Sequence, residues 1–260
     1  MDEAGLLEVL EEAVDAVAEA LAGLEDWGPA GTRPGQYRCD LVADAAALSV
    51  LLGAGLGVLS EESGPTAADR PLLAVVDPVD GSTNAAHGIP WFATSICVLD
   101  SDGPLVAVVA NQASGELFRA VRDGGATRDA RPLEPSSTTE VGRALVATSG
   151  LPEGTPPWAQ TRILGAAALD ICAVAEGVVD GFRDCGPGAL APWDYLGGLL
   201  VCLEAGALVA DAYGRDLVVR GHDDRRAPVV AATPELLEAL LGAGSGPLAG
   251  RAGAGQEKMG

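Results

Sequence analysis

The chain has 260 residues, 48% of them hydrophobic, and a formal net charge of −21 with Lys258 as its single lysine. That hydrophobic share excludes a disordered chain, and the absence of a basic patch excludes nucleic acid as the main ligand. No apolar run reaches the length of a membrane span.

The acidic start, Met1-Asp-Glu-Ala, predicts no secretory signal. Five cysteines (Cys39, Cys97, Cys172, Cys185, Cys202) without CxxC spacing read as reduced thiols of a cytoplasmic protein. In chain order, Leu6, Leu7, Leu10, Val14, Val17 and Leu21 recur at three- and four-residue steps, which predicts an amphipathic helix over 3–24. The stretch 27–36 holds five glycines or prolines and reads as a loop. An alanine- and leucine-rich helix is predicted over 44–53, with Asp44 at its start and Asp40 one turn earlier. Residues 57–62 read as a short strand ending in Glu61 and Glu62.

The stretch Leu72–Asn84 (LLAVVDPVDGSTN) is the most informative. Five apolar residues predict a buried strand. Pro78 ends it, because proline fixes φ and lacks an N–H. Gly81 lets the backbone approach a ligand, and Ser82 and Thr83 are good helix starters. Asp77 and Asp80 therefore stand at a strand end, facing free N–H groups. Carboxylates with no basic neighbour attract hard divalent cations such as Mg²⁺, and amides at a helix start bind phosphate oxygens. An isolated Asp-Pro is an ordinary turn; two Asp, Pro, Gly, Ser, Thr and Asn in this order carry more.

Downstream, 91–99 and 105–110 predict a hairpin around Ser101-Asp-Gly-Pro104, extended by 116–121. The polar stretch 132–141 divides the chain into an N-terminal half, 1–140, and a C-terminal half, 141–242. The second half reads as a strand at 144–148, a glycine turn and helix over 161–175, a strand at 178–182, and a proline-opened helix over 192–206. A strand and turn at 208–216, a strand at 228–232 and a helix at 234–241 follow, then a Gly/Ala-rich tail at 243–260 expected to be disordered.

Three segments together resemble the inositol monophosphatase family: Asp77–Asn84, Ser60-Glu-Glu-Ser-Gly64 upstream, and Pro192-Trp-Asp194 downstream. The resemblance extends to about residue 240. It implies an α+β or α/β fold, a layered α-β-α-β sandwich of the sugar phosphatase type, often homodimeric. It also implies hydrolysis of a small phosphate monoester with two or three Mg²⁺ ions. By resemblance, Glu61, Asp77 and the Val79 carbonyl hold one ion, and Asp77, Asp80 and Asp194 hold a second. Ser82 orients the attacking water, with Asp44 as its partner; Asp44 serves equally well as a plain helix cap, and Asp40 is the second candidate. The amides of Gly81, Ser82 and Thr83 receive the phosphate. The turn Gly165, Ala166 and Ala167 borders the substrate, although Ala166 stands where the family usually has a hydroxyl. Asp184 matches an acid that contacts substrate hydroxyls, but the 185–191 segment makes its path to Trp193 longer than usual. The family's lysine-bearing loop has only Arg33 and Arg38 here. Inositol monophosphate or a similar polyol phosphate is the expected substrate. Fructose 1,6-bisphosphate, histidinol phosphate and a 3′-phosphoadenosine nucleotide remain alternatives, as does a metal-binding partner of another protein with little catalysis. Neither nucleic acid nor membrane is an expected partner.

Overall fold

A computed structural model describes residues 1–186 and 190–243. The expected tail lies outside these residues save for Ala243, as does the centre of the 185–191 segment.

The first sheet has eight strands: β1 (Gly57–Ser60), β2 (Gly64–Thr66), β3 (Leu73–Asp80), β4 (Ala93–Asp100), β5 (Gly103–Asn111), β6 (Leu117–Val121), β7 (Gly125–Arg128) and β8 (Arg131–Pro132). Their order is β2-β1-β3-β4-β5-β6-β7-β8. All neighbours are antiparallel except β1 and β3, which run parallel. The second sheet takes β9 (Leu145–Ser149), β10 (Gln160–Arg162), β11 (Gly181–Asp184), β12 (Leu208–Asp211) and β13 (Pro228–Ala231) in the order β10-β9-β11-β13-β12.

Helices α1 (Glu3–Ala22) and α2 (Arg38–Gly53) cover the outer face of the first sheet. Three apolar side chains of α1, Leu10, Val14 and Val17, are fully or nearly fully buried there, as the three- and four-residue spacing requires. After a short α3 (Ser82–Ala86), α4 (Ala167–Ala175) and α5 (Pro192–Ala205) lie between the two sheets. These are the four expected layers. A short α6 (Pro234–Gly242) adds a cover on the far face of the second sheet, where Leu236 and Leu240 are fully buried.

Every residue of α4 is buried, which explains its almost wholly apolar composition. α5 comes close enough to its neighbours that only glycine fits at two positions. A Cβ on Gly197 would stand 2.6 Å from Ser95 Oγ, and one on Gly198 would stand 2.8 Å from Ile171 Cγ2. α2 begins at Arg38, ahead of the expected start at 44. The Asp40 carboxylate accepts the Tyr37 N–H at 2.8 Å, and this cap starts the helix before the alanine-rich run.

Candidate active site

β3 is buried along its whole length. Its pairing with β4 runs regularly to Asp77↔Ser95 and resumes at Asp80↔Ala93, so Pro78 and Val79 form a bulge. Proline cannot serve the ladder, and a bulge accommodates it. Two contacts fix the bulge: Val79 N–H donates to Asp77 Oδ1 at 3.0 Å, and Thr94 Oγ1 donates to the Pro78 carbonyl at 2.9 Å. The irregularity turns Asp77 and Asp80 out of the sheet's end without exposing either; both are at least nine-tenths buried.

The turn that follows needs glycine. Gly81 has φ +86°, and a Cβ there would lie 3.0 Å from the Gly165 carbonyl and 3.1 Å from Ala166 Cβ. The motif is therefore pressed against the Gly165–Ala167 turn of the second half. Asn84 ties the same junction, donating through Nδ2 to the Trp91 and Leu164 carbonyls at 2.8 Å each.

Three carboxylates from distant parts of the chain meet. Because β1 runs parallel to β3 with Ser60 opposite Val76, Glu61 leaves β1 beside Asp77. Asp194 arrives from the first turn of α5, where its Oδ2 accepts the Ala191 N–H at 2.7 Å. Glu61, Asp77 and Asp194 each offer an oxygen within 4.8 Å of the others. Burial raises the Glu61 carboxyl to about 8 and Asp194 to about 7, with nearby acids adding to the shift. Asp77 is pushed upward too, first by burial and then by Glu61 and Asp80. Such a set is costly unless protons or cations neutralise it. Oxygen-only donors with no lysine or histidine among them suit a hard divalent ion.

Asp80 stands apart from that trio. Its Oδ2 accepts the Ala168 N–H at 2.6 Å at the start of α4, and burial raises its carboxyl to about 8. It lines a cavity of about 210 Å³ together with Asp194, Gly165, Ala166 and Ala167. The opposite rim is Thr148, Ser149 and Gly150 at the end of β9. Asp184 is buried at the end of β11, accepts the Gly186 N–H at 2.9 Å, and is not among the residues bordering this cavity. Val79 sits in the bulge, and Ser82 and Thr83 open α3.

The expected Asp44–Ser82 pairing is not the one formed. Asp44 Oδ1 accepts the hydroxyls of Ser60 and Ser63, which occupy it at the other side of β1. The Ser82 hydroxyl instead lies near the carboxyl of Asp40, one helical turn earlier, and draws its pKa down while burial, the larger effect, raises it to about 6. The earlier start of α2 is the reason, since it brings Asp40 into the helix's first turn.

Other contacts were not foreseen. Arg33, from the glycine- and proline-rich loop, donates to Glu62 Oε1 at 2.7 Å, and Gln36 donates to its Oε2. Asp170 is buried in α4, borders the cavity, and accepts the Trp91 indole N–H at 2.8 Å. An acid inside the apolar run Ala167–Ala175 was the signal for it. From the loop before β13, His222 packs 4.9 Å from the Trp193 ring, and the Arg225 guanidinium lies 5.4 Å from the same ring.

The profile of the inositol monophosphatase family matches residues 47–244. An inositol-1-monophosphatase of Synechocystis sp. is 33% identical over 263 residues, spanning 88% of this chain and 90% of that protein. The Nus factor SuhB of Escherichia coli K12 is 34% identical over 201 residues, 71% of this chain and 72% of its own. The solved inositol monophosphatase from Anabaena (Nostoc) sp. PCC 7120 superposes with a TM-score of 0.75 at 29% identity, covering 92% of this chain and 94% of that one. These relationships make the chain a phosphoric monoester hydrolase. It belongs to the inositol monophosphatase family.

Proposed function

We propose that the protein hydrolyses small phosphate monoesters with Mg²⁺, acting on inositol monophosphate or a similar polyol phosphate. The observation that carries this reading is the meeting of Glu61, Asp77 and Asp194 next to a cavity bordered by Asp80. Glu61, Asp77 and the Val79 carbonyl would hold one ion, and Asp77, Asp80 and Asp194 a second. Bound Mg²⁺ supplies positive charge for the phosphoryl oxygens and lowers the pKa of a bound water. The chain's own residues do the rest. Gly81, Ser82 and Thr83 present backbone amides to the phosphate. Ser82, beside Asp40, would hold the attacking water in line. Gly165, Ala166 and Ala167 border the leaving alcohol.

Release of inorganic phosphate from inositol 1-phosphate, with and without Mg²⁺, tests the proposal. Asp80→Asn is expected to abolish Mg²⁺-dependent turnover and keep the fold; near-normal turnover in that variant contradicts it. A second reading rests on the relative named as a Nus factor: a protein that acts mainly through a partner. Absence of turnover on a sugar-phosphate panel favours it. We also place the protein in the cytoplasm as a homodimer. Its five cysteines are free, and among the described residues no helix is long and apolar enough to cross a membrane. Light scattering of the purified protein measures the dimer.

A further inference from the structure

We propose that a second cavity, at the C-terminal end of α1, binds a small organic ammonium ion and couples that binding to ion loading at the acids. The site stands apart from the phosphatase reading above; only the coupling rests on it.

The cavity holds about 260 Å³ and is lined by Ala18, Leu21, Ala22, Trp27, Phe92 and Gln112. An apolar cavity of about 150 Å³ already takes a benzene ring, so one ring with a short arm fits. Trp27 and Phe92 meet edge to face with centroids 6.3 Å apart. The Trp27 indole N–H is spent on the Leu24 carbonyl at 3.1 Å. What the two residues offer is therefore ring surface, which attracts cations. Gln112 supplies the polar group. Its Nε2 donates to Thr94 Oγ1 at 2.9 Å and to the Val14 carbonyl at 3.4 Å. Thr94 has a single hydroxyl hydrogen and gives it to the Pro78 carbonyl at 2.9 Å, so it must accept from Gln112. That fixes which end of the amide meets Thr94 and leaves Oε1, a pure acceptor, without a bond among the described residues.

Charge points the same way. Ala18, Leu21 and Ala22 lie in the last turns of α1, where the helix end is partly negative and the final turn holds no basic residue. Glu19 and Glu25 are exposed close by in sequence, whereas Arg38 is tied to Asp26. Each contribution favours a cation and opposes an anion.

Two connections run from this cavity to the acids. Gln112 and Thr94 reach the Pro78 carbonyl, in the bulge that sets Asp77 and Asp80. Trp27 opens the loop whose Arg33 and Gln36 hold Glu62, next to Glu61. An occupant that bonds Gln112 and packs on Trp27 favours the arrangement in which both connections are made, so it tightens ion binding, and bound ions tighten it in return.

The test uses benzylamine, benzyl alcohol and benzoate at about pH 7, one ring with a cationic, neutral or anionic arm. Binding is read by ligand-observed NMR with Mg²⁺ in excess. The expected result is a Kd of about 1 mM for benzylamine, roughly fivefold weaker binding of benzyl alcohol, and none of benzoate. Gln112→Leu is expected to weaken benzylamine roughly fivefold, and Gln112→Glu to tighten it about threefold. Calorimetric Mg²⁺ titrations should give about a twofold lower Kd with the amine present. Equal binding of the three probes, or amine binding that ignores both Gln112 variants, overturns the cation site. Mg²⁺ binding weakened by the amine places the amine among the acids and overturns it too. Loss of probe binding as the protein dimerises, followed by light scattering, gives the cavity to a second copy of the chain and overturns the proposal. An unchanged Mg²⁺ Kd overturns the coupling. No Mg²⁺ binding in either condition defeats the ion reading alone and leaves the cation site standing. If Gln112→Leu fails to fold, the three probes and Gln112→Glu decide.

Discussion

The partition of labour between Asp40 and Asp44 gives the sharpest test. Both sit near the buried face of α2, and only their bonds separate them. Asp40 has the hydroxyl of Ser82 as a neighbour that lowers its pKa; Asp44 accepts those of Ser60 and Ser63. Asp40→Asn removes the carboxylate that orients Ser82 and its water. Groups in this role contribute about 10²–10⁴-fold, so kcat is expected to fall by that factor, about 3–5 kcal/mol in activation free energy. The asparagine oxygen still accepts the Tyr37 N–H, so the melting temperature is expected to move little. Asp44→Asn places an amide among two hydroxyls that donated to a carboxylate, a loss of about 1–3 kcal/mol. At about 2–4 °C per kcal/mol, its melting temperature should drop by about 2–12 °C with less than tenfold change in kcat. Steady-state kinetics and calorimetric melting on both variants decide the matter. A large kcat loss in Asp44→Asn with a silent Asp40→Asn refutes the assignment.

Gly81→Ala should lose activity and stability together. Its Cβ would meet Gly165 and Ala166 at about 3 Å with the backbone at φ +86°; left-handed strain and overpacking cost about 1–3 kcal/mol each. An unchanged melting curve and kcat/KM would show that the two halves do not meet there. The pH dependence of stability should be inverted relative to most acid-rich proteins. Folding raises Glu61 and Asp80 to about 8 and Asp194 to about 7, against unfolded values of about 4. The folded chain then binds more protons than the unfolded one across this window, so stability falls as pH rises from about 4 to 8. In EDTA the melting temperature should be lower at pH 8 than at pH 6, and millimolar Mg²⁺ should restore more at pH 8. A Mg²⁺ effect that is the same at both pH values contradicts this.

The parts of the site that a single stretch encodes were legible in the sequence. A buried strand, a proline, two aspartates and a glycine marked where the carboxylates cluster, but the strand does not end at Pro78 as expected: β3 runs on to Asp80, because a bulge takes up the proline. Asp194 was legible only through the resemblance of Pro192-Trp-Asp194 to the family's motif; the proline-opened helix by itself gives an acid in a first turn. Pairings across the fold were less accessible. The contest between Asp40 and Asp44 depended on where α2 starts, and a capping carboxylate overrode the alanine-rich run as the start signal. Asp170 was hidden because its partner, Trp91, lies 79 residues away. Arg33 was read as a loop residue, and its bond to Glu62 exists only once α2 and β1 have packed. Asp184, expected by resemblance to contact substrate hydroxyls, is buried at the end of β11 and does not border the cavity.

The glycine pair of α5 links folding to the site in a further way. Gly197 and Gly198 let the helix seat against β4 on one side and α4 on the other, and its first turn delivers Asp194 to partners held by the first sheet. An ion gripped by these oxygens would act as a rivet between α5 and the first sheet. Loading it should slow the parting of α5 from that sheet, and protease resistance of α5 would rise with ion concentration even where no substrate is turned over.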